Sequence, residues 1–232
     1  MTSALEILRA RIKHLESPDS HARATLPFGI RPLDACLPGA GLTLGALHEI
    51  TGDHAPASLF AAGIAARIKG PVLWCYARAD LFAPGLAQAG LAAERVIHLE
   101  AASEALLACC EEALRHGGVT VVAEIARLPM TASRRLQLAA ERAGRPILAL
   151  RRKLEDATAA ATRWRVTALP AGALPVAGVG RGRWRIELLR ARAGETADLI
   201  VEACDAQGHL AVPAVLAGRS VAAPVGNFRA AG

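Results

Sequence analysis

An α/β fold built on a mainly parallel sheet flanked by helices is predicted for this chain, and three observations predict it. Short apolar runs, such as Val72–Tyr76 and Ile147–Leu150, alternate with helical stretches of about a dozen residues, the pattern of a parallel sheet covered on both faces. Glycines close several of those helical stretches, at Gly90, Gly117 and Gly144. Beyond Arg151 the pattern changes to polar–apolar alternation of period two, which suits additional C-terminal antiparallel strands with one wet face.

Taken in order, residues 3–16 predict an amphipathic helix. Ser3 is its candidate N-cap, and Leu5, Leu8, Ile12 and Leu15 form one apolar stripe that must find a groove on the core or on a partner. Residues 17–27, with Pro18, Asp19, Ser20 and Pro27, predict a linker. A strand over 46–51 leads through a loop to a helix over about 57–69, with Phe60, Ile64 and Ile68 on one face. A strand over 72–76, a short helix around 84–89 and a strand over 96–99 follow. The helix over 103–116 has Ser103 as candidate cap, Leu106, Leu107, Cys110 and Leu114 facing inward, and Arg115 and His116 in its last turn. A strand over 119–123, a helix over 131–143 and a strand over 147–150 complete the alternation. Residues 163–166 and 183–188 carry the period-two pattern, 199–203 a further strand, and 170–182 a loop between them. The expected organisation is an N-terminal helix and linker (1–24), a core (25–204) and a partly ordered extension (205–232).

Composition narrows the function classes. Apolar residues make up 53% of the 232, enough for a sizeable core, while only 3% are aromatic, so Ala, Leu and Val supply most of the packing. No apolar run reaches the roughly 20 residues of a membrane span. Glu6, Arg9, Arg11 and Lys13 interrupt any signal-peptide pattern. The five cysteines (Cys36, Cys75, Cys109, Cys110, Cys204) have neither a disulfide framework nor metal-ligand spacing, and they predict a reducing, cytoplasmic setting. His48-Glu49 lacks the second His of a zinc-protease motif, and no nucleophile elbow is present, so neither a metal nor a catalytic residue is expected. The net charge of +6 is unevenly spread: residues 134–192 hold 14 Arg and Lys against four acids, a basic surface suited to nucleic acid or an acidic partner.

The segment from Phe28 to Gly52 brings glycines and small residues to a tight turn, then a strand ending Glu49-Ile50-Thr51-Gly52. It resembles the start of a RecA-family core, in which that strand delivers a phosphate loop to the carboxyl edge of the sheet. A phosphate loop requires G-x-x-x-x-G-K-[ST], with glycines for backbone N–H donors, Lys for phosphate charge and a hydroxyl for Mg²⁺. Counted from Gly52, the second Gly is Ala57, the Lys is Ser58 and the hydroxyl residue is Leu59, while Asp53 adds negative charge and Pro56 lacks an N–H. The Mg²⁺-orienting Asp of that family falls on Ala123, with Glu124 next, and its catalytic Glu falls at Ala77 or Arg78. The resemblance therefore implies a vestigial phosphate loop, no nucleotide cofactor and no hydrolysis.

Further matches extend over about 25–205. They include Leu37-Pro38-Gly39-Ala40-Gly41-Leu42, Val72-Leu73-Trp74-Cys75, Leu81-Phe82-Ala83-Pro84-Gly85-Leu86, Ser133-Arg134-Arg135-Leu136-Gln137-Leu138 and Trp184-Arg185-Ile186-Glu187-Leu188. On these the chain is similar to the ImuA family of SOS-mutagenesis accessory proteins, which are RecA-like and distantly linked with the division inhibitor SulA. The resemblance implies a non-catalytic adaptor of error-prone translesion synthesis, acting near the nucleoid after DNA damage. Its implied partners are ImuB, a catalytically dead Y-family polymerase relative, RecA and, indirectly, an error-prone DNA polymerase III alpha-type subunit. DNA is a further candidate ligand. Arg151, Arg152 and Lys153 fall in the place of a RecA DNA-binding loop, and Arg190 and Arg192 where RecA proteins carry a Lys pair that reaches a neighbour's nucleotide. Arg163 and Arg165 join these contact candidates. Trp164 and Trp184 can stack on bases or fill the core. The competing readings are a SulA-like inhibitor that binds FtsZ and a divergent RecA-like NTPase.

Overall fold

The computed structural model describes residues 24–78, 82–154, 157–172, 178 and 180–213. The expected helix over 3–16, with Leu5, Leu8, Ile12 and Leu15, lies outside them, as does most of the segment beyond 211. Ten strands and five α-helices occur among the described residues. In chain order they are β1 (Thr25–Leu26), α1 (Arg31–Asp34), β2 (Leu42–Thr43), β3 (Leu47–Gly52), α2 (His54–Ala66), β4 (Val72–Tyr76), α3 (Ala83–Gln88) and β5 (Val96–Glu100). They continue with α4 (Ser103–His116), β6 (Thr120–Glu124), α5 (Met130–Ala143), β7 (Ile147–Leu150), β8 (Thr162–Leu169), β9 (Arg183–Ala191) and β10 (Ala197–Glu202).

Eight strands form one mixed sheet in the order β10-β9-β8-β3-β7-β6-β4-β5. The six strands from β8 to β5 run parallel, and β8, β9 and β10 pair antiparallel. This is the mainly parallel, helix-flanked α/β architecture expected, with its antiparallel C-terminal strands, and it is consistent with a RecA-like core. β3 is central and its first five residues are buried, so His48, Glu49 and Thr51 carry polar groups into the core beside Leu47 and Ile50.

Alternation along the strands sends side chains to two cores. On one face, Ile50, Trp74, Val122, Trp164 and Ile186 pack against Phe60 and Ile64 of α2 and Leu86 of α3. On the other, Leu47, Val121, Ile147 and Ala149 pack against Leu106, Cys110 and Leu114 of α4 and Leu136 and Ala140 of α5. Phe28, Phe60 and Trp164 form an aromatic triangle with centroids 5.4–5.8 Å apart. Both tryptophans that sit between arginines, Trp164 and Trp184, are thus core residues. Their arginine neighbours on the strands alternate to the opposite face, where β8, β9 and β10 carry Arg165, Arg185 and Ile200 in water.

Three local expectations are corrected. Thr25 and Leu26, assigned to a linker, pair antiparallel with Thr43 and Leu42; a two-residue strand is too short to show a period. Ser103 is the first helical residue of α4 rather than its cap, which is Ala102. The third concerns α2, which begins at His54 rather than near 57, because Pro56 is tolerated in a first helical turn. Residues 205–211 fold back on the core: Glu202 bridges to Ala211, Leu210 is buried, and Gly208 lies against Gly63 and Gly90. A Cβ at Gly90 would sit 2.5 Å from Gly208 N, so this close approach depends on glycine.

Candidate functional site

Where a phosphate loop would open, the chain makes a closed strand-to-helix turn. Gly52 ends β3 at φ +123°, a conformation available to glycine, and a Cβ there would overlap the Val166 carbonyl of β8. Asp53 N–H donates to that same carbonyl at 3.0 Å, and Asp53 Oδ2 accepts from Ala168 N–H at 2.7 Å. β8 therefore holds both residues of the turn. The residues Asp53-His54-Ala55-Pro56, which a phosphate loop would spread around its anion, are here the cap and first turn of α2. Pro56 contributes no N–H, and the Asp53 carboxylate sits at the helix N-terminus, where a bound anion would be repelled. Ala57 and Ser58 are buried, and the Ser58 hydroxyl has no hydrogen-bond partner among the described residues. Leu59 is half-buried against the α2 core. The other two positions of interest are as bare: Ala123 is buried within β6, and Ala77 and Arg78 are exposed just past β4. No cluster of His, Cys, Asp and Glu with metal-ligand geometry occurs among the described residues.

The polar chemistry lies three residues earlier on the same strand. Glu49 has no exposed surface, yet it carries a carboxylate into the centre of the sheet. Arg151 Nη1 donates to its Oε1 at 2.9 Å, while Arg163 Nε and Thr158 Oγ1 donate to its Oε2 at 2.7 and 2.8 Å. Parallel pairing of β3 with β8 places Glu49 directly opposite Arg163, which explains that contact. Arg151 follows β7, the strand on the other side of β3. A buried carboxylate is tolerated only when paired and hydrogen-bonded, and this one is matched on both oxygens.

The network's structural effect is to fix the segment 157–161. Arg163 Nη2 donates to Thr158 Oγ1 at 3.1 Å, Arg190 Nη1 to the Thr158 carbonyl at 3.3 Å and Arg192 Nη2 to the Ala159 carbonyl at 2.7 Å. From the helical layer, Ser133 Oγ of α5 accepts from Ala159 N–H at 3.0 Å. Three of the seven contact candidates thus turn inward around this segment, Arg151, Arg163 and Arg192, while Arg190 is exposed and reaches back to it only through Nη1. Arg152, Lys153 and Arg165 are exposed, and Arg165 lies 3.6 Å from Glu187. Farther out on the same open face, Arg185 grips Asp198 through two bonds of 2.9 and 2.6 Å and holds its carboxyl below the usual range.

His48, the neighbour of Glu49, points to the opposite face and anchors β2. Its Nε2 donates to the Thr43 carbonyl at 2.8 Å, which leaves Nδ1 to accept from Thr162 Oγ1 at 2.7 Å. Trp164 Nε1 donates to the same Thr162 oxygen at 2.6 Å, so every partner is consistent with a neutral ring. Burial pushes the His48 pKa down to about 4. The sequence exposes one clue to this inner site, two ionisable residues inside a buried strand; their side-chain partners are more than a hundred residues away and carry no local signal.

No family profile matches the chain. Two curated relatives do, both described as "Protein ImuA", from Caulobacter vibrioides strains NA1000 / CB15N and ATCC 19089 / CIP 103742 / CB 15. Each is 39% identical over 208 residues, covering 79% of this chain and 85% of the relative. With that identity spread over most of both chains, the protein belongs to the ImuA family.

Proposed function

We propose that this chain is a non-catalytic RecA-like adaptor of the error-prone translesion synthesis complex that acts in SOS mutagenesis. In this reading it contacts ImuB and RecA, reaches an alpha-type polymerase subunit through them, and works in the cytoplasm at the damaged nucleoid. One observation carries the non-catalytic part: β8 clamps Gly52 and Asp53 so that α2 starts where a nucleotide phosphate would need open backbone donors. Family membership supports the setting. The core is then kept for its surfaces, and the buried arginines serve the fold rather than chemistry.

Two measurements test the proposal. Thermal unfolding with ATP and Mg²⁺ separates adaptor from NTPase, since a ligand at a hundredfold its Kd adds about 2.7 kcal/mol of stability; no shift is expected, and a saturable shift overturns the non-catalytic reading. Co-purification from damaged cells separates the partners: ImuB and RecA are expected, and FtsZ in their place would favour the division-inhibitor reading. DNA contact is assigned to exposed Arg152, Lys153 and Arg165. Their replacement by Ala should weaken binding of single-stranded DNA uniformly across sequences and reduce its salt dependence.

A further inference from the structure

The helices α4 and α5 lie side by side on one face of the sheet, and a groove of about 380 Å³ runs between them. Its walls bring Glu111, Leu114 and Arg115 of α4 opposite Arg135, Leu138 and Arg142 of α5. Positions 135, 138 and 142 stand at i, i+3 and i+7 of one helix and so share a stripe distinct from the core-facing Leu136, Ala139 and Ala140. Leu138 is 52% exposed, one of few large apolar side chains among the described residues left in water. Arg134, one turn before it, is exposed as well.

The charges around this leucine do not cancel. Glu111, whose side chain is 12% exposed, binds Arg115 at 2.6 Å and Arg135 at 2.5 Å, and Arg115 also meets Glu112 at 3.3 Å, so two carboxylates answer these two guanidinium groups and the surplus charge is that of Arg142 and its neighbour Arg134. Arg142 is exposed and makes no hydrogen bond or ion pair among the described residues. The groove is therefore an apolar seat with surplus positive charge at its rim, held open by a bridge that fixes two of its arginines in place.

We infer that the groove between α4 and α5 binds an acidic segment of a protein partner. An apolar side chain of that segment sits against Leu138 and Ala143, and its carboxylates pair with Arg142 and Arg135. Arginine forks match carboxylates with two parallel bonds, and an aliphatic anchor ringed by arginine has the composition of a binding hot spot. Two features favour a peptide over nucleic acid: the apolar Leu138 on the wall and the Glu111 carboxylate beside it. The chain's own terminal segments are poor occupants by charge. Residues 1–23 hold four Arg and Lys against three acids, and 214–232 hold Arg219 and Arg229 with no acid at all. The inference stands whether or not the Gly52 turn binds nucleotide.

The test uses the full chain and a fluorescein-labelled peptide, DEDLFDED, with DEDGGDED and a single-stranded oligo(dT) as comparisons, read by fluorescence anisotropy. DEDLFDED should saturate, and DEDGGDED should bind at least about tenfold more weakly. Leu138→Asp and Arg142→Glu, both at exposed positions, should each weaken DEDLFDED about tenfold or more with unchanged melting temperature. Leu138→Met should bind like wild type, which separates loss of the seat from loss of the fold. No saturation below about 1 mM overturns the inference, as do equal binding of the two peptides and variants that bind like wild type. Oligo(dT) binding that is lost in the same variants would make this a nucleic-acid groove and overturn it too.

Discussion

Removing the charge of Glu49 while keeping its shape, with Glu49→Gln, should be among the most damaging single changes to this fold. Glu49 has no exposed surface, and the Arg151 side chain it faces is only 2% exposed. Once the carboxylate is neutral, Arg151 keeps a full charge that it cannot carry to water, the situation that costs about 3–5 kcal/mol at buried pairs. Arg163, at 16% exposure, can turn toward solvent, so its share is the smaller loss of a charged hydrogen bond, roughly 1.5–3 kcal/mol before that relief. Arg163→Ala should therefore destabilise less than Glu49→Gln. The double variant Glu49→Leu/Arg151→Met should recover much of the loss, because a well-packed apolar pair replaces a desolvated ionic one. Urea unfolding of the four proteins, followed by circular dichroism, gives the comparison. Amide exchange adds a local readout: the backbone of 158–161 should exchange faster in Glu49→Gln than in wild type. A Glu49→Gln protein within about 1 kcal/mol of wild type, or a double variant no more stable than the single, would refute the reasoning.

Other consequences can be measured as directly. His48 is held neutral with a folded pKa of about 4 against 6.5 for the free ring, so between those values the unfolded chain binds the extra proton. Its contribution is complete above pH 6.5 and falls away toward pH 4, by about 3 kcal/mol; His48→Gln should remove that part of the acid slope in urea titrations at stepped pH. Gly52→Ala should cost at least about 2 kcal/mol, since the residue must hold a positive φ against the Val166 carbonyl; thermal unfolding reads the loss. Arg185→Ala should leave the melting temperature unchanged despite the short bonds to Asp198, because both partners are half in water. Burial pushes the Cys204 thiol up to about 12, so it should resist iodoacetamide at pH 8 until the chain is unfolded, as peptide mapping would show.

The architecture was legible because buried strands and amphipathic helices repeat with different periods, and those repeats shape the described part of the fold. Val72–Tyr76 and Ile147–Leu150 emerge with the predicted ends, and the period-two stretches at 163–166 and 183–188 lengthen into β8 and β9. What escaped was set by tertiary contact. The start of α2 depends on how β8 clasps Gly52 and Asp53, and Pro56 reads equally well as loop or first turn. The candidate site was half legible. Loss of the phosphate-binding residues is a matter of counting from Gly52, whereas the inward turn of Arg151, Arg163 and Arg192 follows from where Glu49 and the 157–161 backbone lie. An arginine-rich strand looks the same in sequence whether its cations face DNA, water or a buried carboxylate. Leu138 was hidden for the opposite reason: within α5 it reads as one more apolar helical residue, and only the position of α4 shows that it is left uncovered.

The turn at 203–211 has a consequence for the order in which this molecule becomes itself. Its seat uses Gly63 of α2, where a Cβ would overlap the Cys204 sulfur, and Gly90 just after α3, where the chain passes beside Gly208. Leu210 and Val201 then finish the same apolar layer that Phe60 and Trp74 begin. A helix made early in synthesis thus waits, with one side uncovered, for residues made among the last of the described chain. Such distant pairings form slowly, and the half-built molecule shows apolar surface in the meantime. A nascent chain halted before residue 200 would keep the parallel strands and lack their final cover, a natural target for chaperones and proteases.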